Sequence, residues 1–187
     1  MHKNMITALI VLTACALNLE TFGHEAVQIR ALALAQQGQA NATIVIAPDA
    51  TRAAQFAAFE LRHHLNQITG GDFTIATNGV PAKGISILVG DSDATRALKI
   101  VPESFGLQEY LIRFQPDTLV LVGRDKADHG KVVYDYMRDA DAFKSWPGMW
   151  DEQGTMYAVY DFLERFCGVR WFNHTEVGTV CPEKQIK

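Results

Sequence analysis

The residues best suited to binding a sugar lie in one polar, aromatic stretch of the chain. Trp146 and Trp150 are separated by three residues, and Asp151 and Glu152 come directly after them. A tryptophan ring stacks on the apolar face of a sugar, while carboxylates accept hydrogen bonds from its hydroxyl groups. Trp146, Trp150 and Asp151 are therefore candidate substrate-contacting residues. The alternative is a loop that its own tryptophans hold against the protein.

A predicted helix carries a second candidate surface, suited to docking against another domain. Phe56, Phe59 and His63 share the ridge opposite the apolar stripe that we expect to face the core. Two exposed phenylalanines on one ridge are typical of a contact with another protein surface. If the helix is instead covered on both sides by its own domain, the same residues belong to the interior.

The spacing of the histidines does not predict a metal site. His24 and Glu25 begin like a zinc-protease helix, but Gln28 stands where the second ligand is required. His63 and His64 are adjacent, so they point about 100° apart on a helix and cannot act as an i,i+4 ligand pair. His64 borders the apolar stripe, and we interpret it as a packing residue.

Other catalytic and cofactor-binding patterns are also missing from the sequence. The glycines after two predicted strands lack the spacing of nucleotide-binding loops, and no G-x-S-x-G segment is present. We therefore expect no catalytic residue, no metal and no cofactor in this chain. The chain has 187 residues and a net charge of −4, so we expect one globular domain and no nucleic-acid partner.

The N-terminus has the layout of an export signal. A short basic start precedes an apolar run from Met5 to Leu19, and small residues stand before His24. We predict a signal peptide over residues 1–23, a single domain over 24–187, and a secreted or periplasmic location. Residues 12–15 (LTAC) resemble a bacterial lipobox, so the alternative is a lipid anchor at Cys15, on the cell envelope. A buried N-terminal helix is a third interpretation.

Two cysteines remain after the predicted signal. An exported protein meets oxidising conditions, so Cys167 and Cys181 are able to form a disulfide. Two semi-buried thiols are equally consistent with the sequence, since two cysteines do not define a disulfide framework.

Periodicity and turn residues predict the elements that position these side chains. Asp49 or Thr51 is the expected cap of a helix that runs from about Ala54 to Gly70. Short strands are predicted at residues 41–48, 73–77, 85–90, 108–114 and 118–123. The last two form a hairpin, and the last is apolar throughout, which favours a central position covered on both faces. Residues 126–153 form an insertion.

The segment GTMYAVYDFLERFCGVRWF, residues 154–172, predicts a second helix and a strand. Thr155 is the expected cap, Gly168 the expected end, and one face is apolar. We interpret this segment as core, because several buried side chains at about 1.5–3 kcal/mol each are a large part of a domain's stability. The predicted fold class is α+β, a mixed or antiparallel sheet with two main helices on one face.

Four stretches together resemble a known module. AAFELRHHLNQITGGDFTI, ISILVGDS, YLIRFQPDTLVLVGRD and GTMYAVYDFLERFCGVRWF are similar to the N-terminal domain of bacterial alpha-glucuronidases, over residues 42–172. A module of the same kind precedes the barrel in beta-N-acetylhexosaminidases. The resemblance implies the fold of domain 2 of those enzymes, which is zincin-like without zinc. The insertion at 126–153 is longer than the link in those families.

The resemblance also implies a function. In those families this domain is not catalytic, and a following (β/α)₈ barrel carries the chemistry. We therefore expect an accessory domain of a secreted bacterial glycoside hydrolase, with the chain a fragment whose partner is the barrel of the same polypeptide and whose contacts include polysaccharide. Two alternatives stay open: a free-standing carbohydrate-binding module, and a small hydrolase in its own right.

Overall fold

A computed structural model of the chain describes residues 32–77, 84–134, 142–173 and 176–182. The predicted signal peptide at 1–23 and the lipid-anchor candidate Cys15 lie outside these residues, as does part of the insertion at 126–153. Within the described part of the chain, no helix combines the length and the apolar character that a membrane span needs.

The centre of the protein is a five-stranded mixed sheet. Two short strands, β1 (Ala35–Gln36) and β2 (Gln39–Ala40), precede it as a separate hairpin. The strands of the sheet are β3 Ala42–Ile46, β4 Thr74–Thr77, β5 Ile85–Val89, β6 Tyr110–Gln115 and β7 Thr118–Gly123. They lie in the order β4-β3-β5-β7-β6, with four strands parallel and β6 antiparallel to β7. The predicted α+β class and the mixed sheet are confirmed, whereas the alternative of an antiparallel main sheet is wrong, because four of its five strands are parallel.

The apolar strand β7 is covered on both faces, as its sequence predicts. Leu119 and Leu121 face one apolar cluster, and Val120 and Val122 face another, all fully buried. Such continuous apolar character is typical of a strand with no solvent-facing side. The two-residue turn at Pro116 and Asp117 joins β6 to β7, so the hairpin prediction is also confirmed.

Helix α1 spans Arg52–Thr69 and begins and ends where its sequence predicts. The Thr51 hydroxyl accepts a hydrogen bond from the Ala54 amide at 3.1 Å, which satisfies one of the unpaired donors of the first turn. Gly70 ends the helix with a φ of 68°, a left-handed conformation that glycine adopts at low cost.

The opposite face of the sheet from α1 is covered by shorter elements. Helix α2 spans Asp93–Ala97. This helix and the turn after it contribute Ala94, Leu98 and Ile100 to the second apolar cluster, which also contains Val120 and Val122.

Helix α3 spans Gly154–Cys167 and packs beside α1 on the same face of the sheet. Ala158, Val159, Phe162 and Leu163 are buried there, which confirms that this segment is core. A last small hairpin comes after the helix, in which β8 (Arg170–Trp171) pairs with β9 (Thr179–Val180).

The predicted cap of α3 is wrong. Gln153 occupies the N-cap position and makes no side-chain cap. Thr155 is buried instead, and its hydroxyl accepts a hydrogen bond from the Gly123 amide at 3.1 Å. The threonine therefore joins the helix to the end of β7.

Candidate functional site

The loop before α3 presents a large aromatic side chain to solvent. Trp150 is 92% exposed, and its neighbour Met149 is 79% exposed. The residues after them are fixed, because Asp151 pairs with Lys126 at 3.0 Å and Glu152 pairs with Arg124 at 3.1 Å. An exposed indole on a fixed support is the arrangement that stacking on a sugar ring requires, since little freedom is lost on binding.

Asp151 is part of that support. Its carboxylate also accepts a hydrogen bond from the Gly148 amide at 3.2 Å, and its carbonyl accepts one from the Gln108 side chain at 3.1 Å. The Gln108 amide oxygen in turn accepts from the Gln153 backbone at 3.0 Å. Asp151 therefore shapes the turn that carries Trp150, with its own oxygens already engaged.

Trp146 has a different role from Trp150. It is half-buried, with ring centroids 4.6 Å from Phe56 and 4.4 Å from Phe143. Its indole Nε1 donates a hydrogen bond to the Val133 carbonyl at 3.0 Å. The structure therefore separates the two tryptophans, since Trp146 holds the insertion against α1 while Trp150 extends into solvent.

The docking candidates on α1 lie under the insertion. Phe56 is only 5% exposed, covered by the rings of Trp146 and Tyr134. Phe59 is half-buried and stacks on Tyr134 at 5.2 Å, and His63 is also half-buried. The ridge is thus covered in part by its own domain, which is the alternative that the sequence left open.

A shallow cavity of about 330 Å³ lies along the accessible part of this ridge. Aromatic, cationic, amide and acidic side chains line it: Phe59, Arg62, His63, Asn66, Gln67, Asp72 and Tyr134. The Arg62 guanidinium lies over the Phe59 ring, 5.4 Å from its centroid. This mixture of flat apolar surface and hydrogen-bonding groups suits a small polar ligand.

A buried carboxylate is hydrogen-bonded to Tyr134, one of the residues that line the cavity. Glu60 is 5% exposed and accepts hydrogen bonds from the hydroxyls of Tyr134 at 2.5 Å and Tyr160 at 3.2 Å. The His64 Nε2 lies 3.6 Å from the same carboxylate, one helical turn further along α1. Burial alone would raise the pKa of Glu60, but the hydrogen bonds from His64, Tyr134 and Tyr160 hold that pKa below its ordinary value.

The other nitrogen of His64 faces a cysteine. His64 is 3% exposed, and its Nδ1 lies 3.6 Å from the Cys181 Sγ. Trp171 packs its ring edge-on against His64, at 5.5 Å between centroids. His64 is therefore a packed and hydrogen-bonded side chain, as its sequence position predicts, but its partners Glu60 and Cys181 were not foreseen.

Of the two arrangements that the sequence allows for Cys167 and Cys181, a disulfide or two semi-buried thiols, the structure has the free thiols. Cys167 lies at the edge of the main apolar cluster, and burial raises its pKa to about 12. Cys181 is partly exposed just after β9, and its pKa is also raised by burial.

A second carboxylate, which is half-buried, joins the starts of both main helices. Asp125 accepts a hydrogen bond from the Thr155 amide at 2.8 Å in the first turn of α3. Its other oxygen accepts from the Thr51 hydroxyl, the cap of α1, at 3.0 Å. Burial raises the pKa of Asp125 even though these donors oppose the shift.

Sequence reasoning missed Glu60 and Asp125. The signal for Glu60 was its i,i+4 spacing from His64, which places both side chains on one helix face. The signal for Asp125 was weaker. Asp125 comes just after β7 but caps α3, which begins 29 residues later, and nothing in the sequence near Asp125 indicates that contact. Among the described residues, no group of three or more His, Cys, Asp or Glu side chains has a geometry that could hold a metal ion.

In comparisons with known proteins, no family model matches the chain, and no curated protein matches it.

Proposed function

We propose that this chain is a non-catalytic accessory domain of a secreted bacterial glycoside hydrolase of the alpha-glucuronidase kind. In this proposal its fold is that of the domain preceding the barrel in beta-N-acetylhexosaminidases, and its partner is a (β/α)₈ catalytic barrel in the same polypeptide. Its task is to support the barrel and to hold polysaccharide near it. Export to the periplasm or beyond is part of the proposal, with a lipid anchor at Cys15 as the alternative.

The observation that supports polysaccharide binding most directly is the exposure of Trp150. Trp150 is 92% exposed and its neighbour Met149 is 79% exposed, so two adjacent large apolar side chains face solvent on a loop held by two ion pairs, which supports a role in binding. The scaffold part is supported by α3, whose aromatic and aliphatic residues pack against the sheet instead of lining a cleft.

The experiment is a binding titration of the purified chain with a uronic-acid-bearing polysaccharide. We expect Trp150→Ala to lower the affinity at least about tenfold, because the stacked ring is the main apolar contact. Met149→Ala is the matched control, since it removes an adjacent exposed side chain without a flat ring. Equal binding by the Trp150→Ala variant and the unaltered chain would remove the loop from the proposal.

A free-standing carbohydrate-binding module is the second candidate, and the same exposed tryptophan favours it. The parent gene distinguishes the two candidates downstream of the codon for Lys187. An accessory domain requires a reading frame that continues there into alternating strand and helix patterns with paired carboxylates. A stop codon at that point, together with Trp150-dependent binding, would favour the free-standing module.

A further inference from the structure

One cluster in this chain combines a nucleophile, a base and a buried carboxylate. The Cys181 Sγ lies 3.6 Å from His64 Nδ1, and His64 Nε2 lies 3.6 Å from a Glu60 oxygen. Both nitrogens of the imidazole are therefore engaged, one by sulfur and one by an acid. A carboxylate at one nitrogen of an imidazole orients the ring, so that the other nitrogen is placed to accept a proton from the sulfur.

The acid and the imidazole of this cluster, both on α1, are held in place by residues from other parts of the chain. Glu60 is fixed by the hydroxyls of Tyr134 and Tyr160, and His64 is packed under Trp171. Glu60 holds the Nε2 side of His64, so the Nδ1 side stays directed at the Cys181 sulfur, with which it can exchange a proton.

The thiol is reachable by a small molecule. Cys181 is partly exposed, and its Sγ lies 3.3 Å from the Gln67 Oε1, which is a second acceptor for the thiol proton beside His64. Gln67 in turn forms part of the wall of the 330 Å³ cavity beside α1. Burial raises the pKa of Cys181, which disfavours loss of its proton to water, and the His64 Nδ1 at 3.6 Å is placed to accept that proton. Cys167 provides the contrast, since its more deeply buried thiol has a pKa raised to about 12.

We propose that Cys181 is a thiol-exchange site, at which a low-molecular-weight disulfide forms a mixed disulfide with the protein through the Cys181–His64–Glu60 relay. The Cys181 thiol gives its proton to His64, and the sulfur attacks one sulfur of the reagent disulfide. The new bond joins Cys181 Sγ to that sulfur, and the S–S bond of the reagent breaks. The departing thiolate takes the proton from His64 and leaves as a thiol, so the reagent supplies all of the oxidising power.

The test uses the full chain, bis(2-hydroxyethyl) disulfide as the probe, and peptide mass spectrometry to locate and time each adduct. We expect Cys181 to be modified at least about tenfold faster than Cys167, as expected for an accessible thiol beside an imidazole. His64→Gln should slow the reaction at Cys181 about fivefold or more, since the proton acceptor is lost. His129→Gln is the matched control and should leave the rate at Cys181 within about twofold, because His129 contacts the Asp49 carbonyl just before the start of α1, several helical turns from His64.

A second variant keeps the test decisive if the His64 substitution impairs folding. In a Cys181→Ser background, Val180→Cys places a thiol at a neighbouring site that is 50% exposed and lies on the strand instead of beside the imidazole. This thiol should react more slowly than Cys181 in spite of its greater exposure. An equal or faster rate at the introduced thiol, an unchanged rate in His64→Gln, or a Cys167–Cys181 disulfide as the main product would overturn the proposal.

Discussion

At the scale of single residues, the described structure divides the chemistry-bearing side chains into those that are engaged and those that face solvent. Glu60 and His64 are buried and hydrogen-bonded, Asp125 is half-buried and hydrogen-bonded, and Trp146 is packed on α1. Trp150 is the most exposed described aromatic of the loop that carries both tryptophans, at 92% against 53% for Phe143. Residue type alone therefore does not separate the two tryptophans, which lie four positions apart and differ in burial.

The buried Glu60 makes the free energy of unfolding of the domain depend on pH. Its pKa in the folded protein lies below the ordinary value of 4.5, so the unfolded chain binds the proton more tightly. The contribution of Glu60 to stability is therefore complete above about pH 4.5 and is lost as the pH falls through the lowered value. Glu60→Gln should reduce the free energy of unfolding by about 2 kcal/mol at pH 7, and by less as the pH falls below 4.5.

Urea unfolding at a series of pH values between 7 and about 3 checks this prediction. Glu164→Gln is the control, because Glu164 is an exposed carboxylate on α3. A difference between Glu60→Gln and the unaltered protein that stays constant with pH would contradict the assignment of Glu60 as an ionised, hydrogen-bonded group.

Trp146 should behave as a structural residue. Its ring packs between Phe56 and Phe143, so Trp146→Ala should lower the free energy of unfolding by about 2–3 kcal/mol, less than a fully buried tryptophan would. Trp150→Ala should change stability by less than about 0.5 kcal/mol, because the side chain is exposed. Thermal or urea unfolding of both variants measures these changes in stability. Equal losses would contradict the assignment of Trp146 as packed and Trp150 as exposed.

At the scale of elements, Asp125 links the starts of the two main helices. It supplies the side-chain acceptor that α3 lacks at its own N-cap, and it fixes the hydroxyl that caps α1. Asp125→Ala should therefore lower the free energy of unfolding by about 1–2 kcal/mol, as the loss of a cap does. Asp161→Asn, which weakens the exposed pair with Arg165, should cost less than about 0.5 kcal/mol and serves as the control.

Circular dichroism during urea unfolding checks the Asp125 prediction. If both variants lose the same small amount of stability, the carboxylate does not act as a shared cap, and the helix starts are stabilised in another way.

The elements themselves were largely predictable, for local reasons. Thr51, Gly70 and Gly168 mark helix ends through capping and left-handed backbone, which depend on neighbours in the sequence. The cap of α3 was not predictable, because its acceptor comes from a residue 30 positions before Thr155. The Glu60 cluster was hidden for the same reason, since its tyrosines come from the insertion and from α3.

At the scale of the whole molecule, periodicity predicted the class but not the pairing of the strands. The apolar character of β7 indicates a central strand, yet nothing local shows that β3 lies between β4 and β5. The position of the insertion against α1 was also not predictable, because it depends on contacts between Trp146, Tyr134 and Phe56. Long-range packing of this kind decides which candidate residues stay in solvent.

The proposed role of the molecule as a whole is to bind polysaccharide and support a catalytic domain without performing the chemistry itself. The most direct test incubates the purified 187-residue chain with a uronic-acid-bearing polysaccharide and measures both the bound fraction and the released sugar. We predict retention on the polysaccharide that depends on Trp150 and no release of sugar above the buffer control. Sugar release by this chain alone would contradict the proposed role.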